Sequence, residues 1–332
     1  MVAEAKITML GLEGSGKTCY MLGLYATMQM GLQGFTLTAT DMDEDLRLTS
    51  LWERMVDEEG ENRWPFPTGV ESHQYEFDFS YGMRPLIKFD WLDYRGGDMK
   101  GFSTQEGVQI LTKRLLESSC VFLCISGEYL KQEVSSDMEL MSLAKKTGVD
   151  RMNKFLMDIS KNLKECQRPF PIVIVITKFD QCYERAKDKV SKEKLFDDIK
   201  KMFNALFLPN KDWLVMLCPV TLGKGLENDG VTGEIQPKNL HLPLLFALYA
   251  KFREYAMTEQ ARVNETQIRL DILRSGNWFQ RFFTGDDQRV AESSLENYQN
   301  HLQEIQQRMA LLAQELTNAQ IFLGGKEQQV DV

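Results

Sequence analysis

Residues 11–18 read GLEGSGKT. A Gly-x-x-x-x-Gly-Lys-Thr spacing suits a backbone that must bend around an anion. The amides of Gly14, Ser15, Gly16, Lys17 and Thr18 are expected to point at phosphates, and Glu13 and Cys19 complete the expected phosphate-binding stretch. The N-terminus of a following helix adds a favourable partial charge. In such a loop Lys17 would bridge the β- and γ-phosphates, and Thr18 would offer its hydroxyl to Mg²⁺.

A second constellation bears on the base. Thr177-Lys178-Phe179-Asp180 follows the apolar run IVIVIT, at the strand end where ligands bind in open α/β sheets. Asp180 can accept hydrogen bonds from the N1–H and the N2 amino group of guanine, with the Lys178 stem over the ring. Adenine lacks that donor pair, so the carboxylate would be left unpaired beside ATP. Pro219 to Gly223 (PVTLG) follows the next strand, and the backbone at Thr221 and Leu222 is a candidate contact to the guanine O6.

A third constellation concerns the metal. Asp93-Tyr94-Arg95-Gly96 ends the run LIKFDWLD. Asp93 would hold Mg²⁺ through water, since such sites keep several waters and need few protein oxygens. The Gly96 amide would touch the γ-phosphate. Thr68, just ahead of the run Tyr75–Phe79, is the expected residue that closes over Mg²⁺ and γ-phosphate; Thr36, Thr38 and Thr40 compete with it.

These groups need a scaffold. Ile7–Leu10 reads as a buried strand and 18–30 as a helix. The acidic piece 41–59 is helix-prone, and Tyr75–Phe79 with Leu86–Leu92 reads as an antiparallel hairpin. Helices are expected at 103–118, at 136–167 with a break near Thr147–Gly148, and at 191–206. Strands are expected at Cys120–Ser126, Ile172–Thr177 and Trp213–Pro219. Strands alternating with helices predict a mainly parallel sheet covered on both faces, with one antiparallel edge strand added by the hairpin. From Leu240 onward no strand is expected. Helical patterns at 240–273 and 288–323 flank SGNWFQRFFTGDD, and Leu295, Tyr298, Leu302, Ile305, Met309, Leu312, Leu316, Ala319 and Leu323 form a heptad seam. An antiparallel helical hairpin over 258–332, with a short tail, is the simplest arrangement.

Composition narrows the partners. The chain has 332 residues, 43% of them hydrophobic, and a net charge of −9. An acidic balance argues against nucleic acid, whose phosphates need a basic face. Six cysteines without zinc-knuckle spacing read as reduced thiols of a cytoplasmic protein. The N-terminus lacks an apolar leader core, and no stretch of 18 uncharged apolar residues is present.

Taken in order, the four signals resemble the TRAFAC-class GTPases with a Ras/Arf-like core, over roughly residues 5–256. GLEGSGKT is similar to the Arf and Sar loop, and the long spacers are similar to bacterial double-GTPase-type domains. The resemblance implies a P-loop NTPase three-layer α/β sandwich over 1–257, and hydrolysis of GTP to GDP with Mg²⁺. It places Lys17, Thr68, Gly96, Gly97 and Asp98 around the γ-phosphate. It also implies a departure: Gly97, followed by Asp98, stands where Ras and Arf carry the glutamine that orients water. Slow turnover follows, or a water-positioning group from Asp98, Arg95 or a partner. The expected role is a nucleotide-dependent switch for a protein partner reached through the switch regions or the hairpin. The alternative is a self-assembling or membrane-associated scaffold with dynamin-like logic. It is motivated by Trp278, Phe279, Phe282 and Phe283 at the hairpin tip, although acidity disfavours a membrane contact.

Overall fold

The computed structural model describes residues 4–58, 63–65, 73–94, 105–163, 168–209, 213–226, 233–275 and 285–330. In chain order the first elements are β1 (Glu4–Leu10), α1 (Lys17–Gln29), β2 (Phe35–Ala39), α2 (Met42–Asp57), β3 (His73–Tyr81), β4 (Arg84–Asp93), α3 (Gln105–Glu117) and β5 (Cys120–Ser126). Next come α4 (Asp137–Thr147), α5 (Val149–Leu163), β6 (Phe170–Thr177), α6 (Lys189–Met202), β7 (Trp213–Pro219), β8 (Thr221–Lys224) and β9 (Glu234–Lys238). The chain closes with α7 (Leu242–Ser275), α8 (Gly285–Glu315), β10 (Gln320–Leu323) and β11 (Lys326–Gln328).

Local chemistry sets several of these boundaries. The Asp41 side chain accepts from the amides of Asp43 and Glu44 and caps α2. Ser136 caps α4 and Asp188 caps α6 in the same way. The expected break near Thr147–Gly148 is a left-handed Gly148 (φ 78°) between α4 and α5.

Among the described residues one sheet has the order β11-β10-β7-β6-β5-β1-β4-β3-β2. Its centre, from β7 to β4, is parallel. Burial on both faces explains why β5 and β6 read as continuous apolar runs. One face carries Leu123, Ile125, Ile174 and Val215 under Leu115, Phe155, Phe196 and Ile199 of the flanking helices. On α1, Tyr20 lies beside Trp91 and Phe122 of the sheet, with ring centroids 6.1 and 6.5 Å away.

Two expectations need correction. The antiparallel part is not one edge strand: β2 and β3 lie on one side of the parallel core, and β10 and β11 on the other. The expectation of no strand beyond Leu240 also fails. The second helical pattern stops at Glu315 instead of running to 323, and β10 pairs antiparallel with β7. Ile321 and Phe322 are buried there. Four residues are too short for periodicity to register, and partner strand β7 lies about a hundred residues upstream.

The described chain divides into two compact units, Met1–Ala247 with Asn318–Gln329, and a second built on Leu248–Thr317. Within the second unit, Arg308 lies over Phe252, Arg262 over Tyr298, and Arg274 pairs with Glu292. Partner numbers fall on one helix as they rise on the other, so α7 and α8 are antiparallel. Leu302, Ile305 and Leu312 of the expected seam are buried. The aromatic residues 278–283 lie outside the described residues. No described helix is long and apolar enough to cross a membrane.

Candidate functional site

The loop between β1 and α1 has the backbone its glycines predict. Gly14 (φ 76°) and Gly16 (φ 81°) are left-handed, and Gly16 is the residue from which α1 starts. Among the described residues nothing lies within 4 Å of a Cβ built on Gly14, so its left-handed conformation is what favours glycine there. The Ser15 amide closes a turn onto the Leu12 carbonyl at 3.1 Å. From the end of β6, the Thr177 hydroxyl donates to the Ser15 carbonyl at 2.6 Å, with the Ile125 carbonyl 3.2 Å away. From another side, Gly148 presses on the loop, for a Cβ there would lie 2.6 Å from Leu12 Cγ.

Three functional side chains converge beside this loop. Lys17 is 5% exposed, and its ammonium donates to the carbonyls of Gly11 (2.9 Å) and Leu12 (3.2 Å). The Thr18 hydroxyl donates to Asp93 Oδ2 at 2.9 Å. Asp93 is fully buried, and its Oδ1 has no hydrogen-bond partner among the described residues. Burial raises its pKa above 3.8, opposed by the Lys17 charge, the Thr18 hydrogen bond and His73. His73 sits opposite Asp93 in the β3–β4 register. Ser15 Oγ is a second buried polar atom without a partner. Unsatisfied buried oxygens are costly and call for an explanation. A hydroxyl beside a carboxylate with a spare oxygen is a donor set suited to a hard cation such as Mg²⁺. Glu13 is exposed at the loop's outer side, and Cys19 is partly buried, its thiol pushed up to about 12 mainly by burial.

The base-binding candidates also come together. Lys178 is left-handed (φ 48°), an uncommon conformation for a residue with a side chain. It turns the chain so that Asp180 Oδ1 accepts from the Thr221 hydroxyl at 2.8 Å. The Phe179 amide donates to the Val220 carbonyl at 3.2 Å, so the loops after β6 and β7 are bonded to each other. Leu222 turns away toward α1, where a Cβ on Gly23 would fall 2.5 Å from its Cδ2.

Thr68, Arg95, Gly96, Gly97 and Asp98 lie outside the described residues. Thr36 and Thr38 lie in β2 and Thr40 just after it, where Thr40 bonds the Glu76 carbonyl, three residues along β3 from His73. Thr38 is opposite Asp78, which is five residues from His73 along β3, or roughly 16 Å of strand.

Sequence reading missed a third supporting loop, the one after β5. Glu128 Oε2 accepts from the Lys178 ammonium at 3.1 Å. Ahead of it, a Cβ on Gly127 would sit 2.5 Å from the Lys178 carbonyl oxygen. The only signal available was a glycine directly after the buried run CVFLCIS.

The fold is mixed α/β, with a mostly parallel central sheet and the candidate loops gathered at the carboxyl ends of its strands, where ligands bind in open α/β sheets. Comparison with known protein families finds no match, and none is found among curated proteins.

Proposed function

We propose that this chain binds guanine nucleotide with Mg²⁺ and hydrolyses GTP to GDP and phosphate, acting as a nucleotide-dependent switch for a protein partner. The observation that carries the reading is the juxtaposition of two bonded loop systems. Thr177 ties the loop bearing Lys17 and Thr18 to the segment bearing Lys178 and Asp180, and Thr221 fixes the Asp180 carboxylate.

In this reading the amides of Gly14 through Thr18 bind the phosphates, and Lys17 gives up carbonyl partners for phosphate oxygens. Thr18 and Asp93 would hold Mg²⁺, which when bound would neutralise phosphate charge. Asp180 accepts from the guanine N1–H and N2 groups, its other contact satisfied by the Thr221 hydroxyl. Water attacks the γ-phosphorus, the bond to the β–γ bridging oxygen breaks, and GDP leaves with that electron pair. Gly97 in place of the usual glutamine makes this step slow without a partner.

Calorimetry with GDP and ADP tests the reading, which fails if the two bind equally. The variant Asp180→Asn is expected to shift preference toward xanthosine diphosphate, whose ring carbon C2 carries a carbonyl oxygen in place of the amine.

A further inference from the structure

Lys178 and Glu128 belong to different loops, yet three separate constraints bring them together. Gly127 allows the backbone after β5 to touch the Lys178 carbonyl, where any Cβ would intrude. The Ser126 hydroxyl accepts from the Glu128 amide at 3.3 Å and fixes the turn that carries the carboxylate. The left-handed backbone of Lys178 sends its side chain back toward that turn, and the ion pair closes at 3.1 Å. A lysine side chain has many rotamers, so a free lysine at a binding site loses that freedom when ligand arrives. One already anchored through its ammonium has lost much of it beforehand.

We propose that Glu128 is a positioning residue for nucleotide binding: its carboxylate anchors the Lys178 ammonium and so presets the four-carbon stem for contact with the purine. This rests on the guanine-nucleotide reading above and adds a residue to it. Glu128 touches no nucleotide itself; it acts through Lys178. Both side chains are partly exposed, so the effect belongs to the range of accessible ion pairs, a factor of roughly two to five.

The test is a double-mutant cycle on the dissociation rate of a fluorescent GDP, using the full chain. Glu128→Ala is expected to release GDP roughly two- to fivefold faster. Lys178→Met keeps an apolar stem and removes the ammonium, and in that background Glu128→Ala is expected to add nothing. The Glu128→Ala effect should also shrink at high ionic strength, which screens the pair. Thermal melts of the variants report on folding separately. A Glu128→Ala rate equal to wild type overturns the proposal, and so does an undiminished effect on top of Lys178→Met. If wild type itself retains GDP no better than ADP, the nucleotide reading fails first. Guanine selectivity with a flat cycle defeats only the role of Glu128.

Discussion

Gly127→Ala is the sharpest test of how the base loop is held. The added Cβ would lie 2.5 Å from the Lys178 carbonyl oxygen, 3.0 Å from the Thr177 oxygen and 3.1 Å from the Lys178 carbonyl carbon. All three are backbone atoms, so no flexible side chain can swing aside. Gly127 is not in the left-handed region, so the obstacle is space alone. Bringing the closest contact only to 3.0 Å, a distance real Cβ atoms essentially never breach, requires a separation of at least half an ångström. Overpacking of this kind costs about 1–3 kcal/mol. The displaced segment is the one that carries Asp180, bonded to Thr221 at 2.8 Å. If a 1 Å misplacement costs about a hundredfold, half of that costs roughly tenfold. GDP affinity is therefore expected to fall about tenfold, with the GDP-over-ADP preference falling alongside it. Fluorescent-nucleotide titration and a thermal melt of the same sample separate loss of binding from loss of fold. A variant with wild-type affinity and selectivity would refute the claim that the loop after β5 sets the position of the base loop.

Other consequences are equally open to measurement. Thr18→Ala removes the hydroxyl that bonds Asp93, and should lower GDP affinity in Mg²⁺ far more than in chelator, as read by calorimetry. Asp93→Asn should abolish that Mg²⁺ dependence yet stabilise the ligand-free protein at neutral pH. The sign follows from a pKa raised above 3.8: the stabilising contribution of Asp93 is full below the unfolded value and is lost as pH rises through the folded one. Urea midpoints of wild type should therefore decline relative to Asp93→Asn as pH rises through that window, whereas a constant difference contradicts the assignment. Arg185→Ala strands Asp198, its buried partner at 2.7 Å. It should cost about 3–5 kcal/mol in urea unfolding. Ending the chain at Thr317 removes β10 and uncovers the β7 edge, so light scattering should detect aggregation absent from the full chain.

Much of the parallel core was legible because it is written in long, repetitive signals. Cys120–Ser126 and Trp213–Pro219 are apolar at almost every position, and the structure returns both strands with those bounds. Gly148 marked the end of α4 because a helix that must stop uses a left-handed residue. What escaped depends on partners far away in sequence. Phe35–Ala39 reads FTLTA, a short alternation that becomes a strand only beside β3. Gln320–Leu323 is a strand because β7 presents an edge to it. The loop 11–18 and Asp180 stood out as motifs because their residues recur at fixed spacings, and the structure ties them together through Thr177 and Thr221. The support from Gly127 and Glu128 did not, because neither belongs to a recurrent spacing and each acts across a loop boundary.

The buried groups at the phosphate loop argue that this site is held together against its own electrostatics. Asp93 is fully enclosed with one oxygen unpartnered, and Lys17, the nearby opposite charge, bonds two carbonyls instead of the carboxylate. A stability-driven arrangement would join the two charges directly or replace both by apolar groups. Under the proposed function, keeping them apart, with Thr18 between loop and carboxylate, would leave each able to meet a different part of the nucleotide phosphates and their Mg²⁺. The cost falls on the ligand-free protein. It is tolerable because β4 is bonded on both sides, parallel to β1 and antiparallel to β3, within an apolar core that holds Asp93 in place.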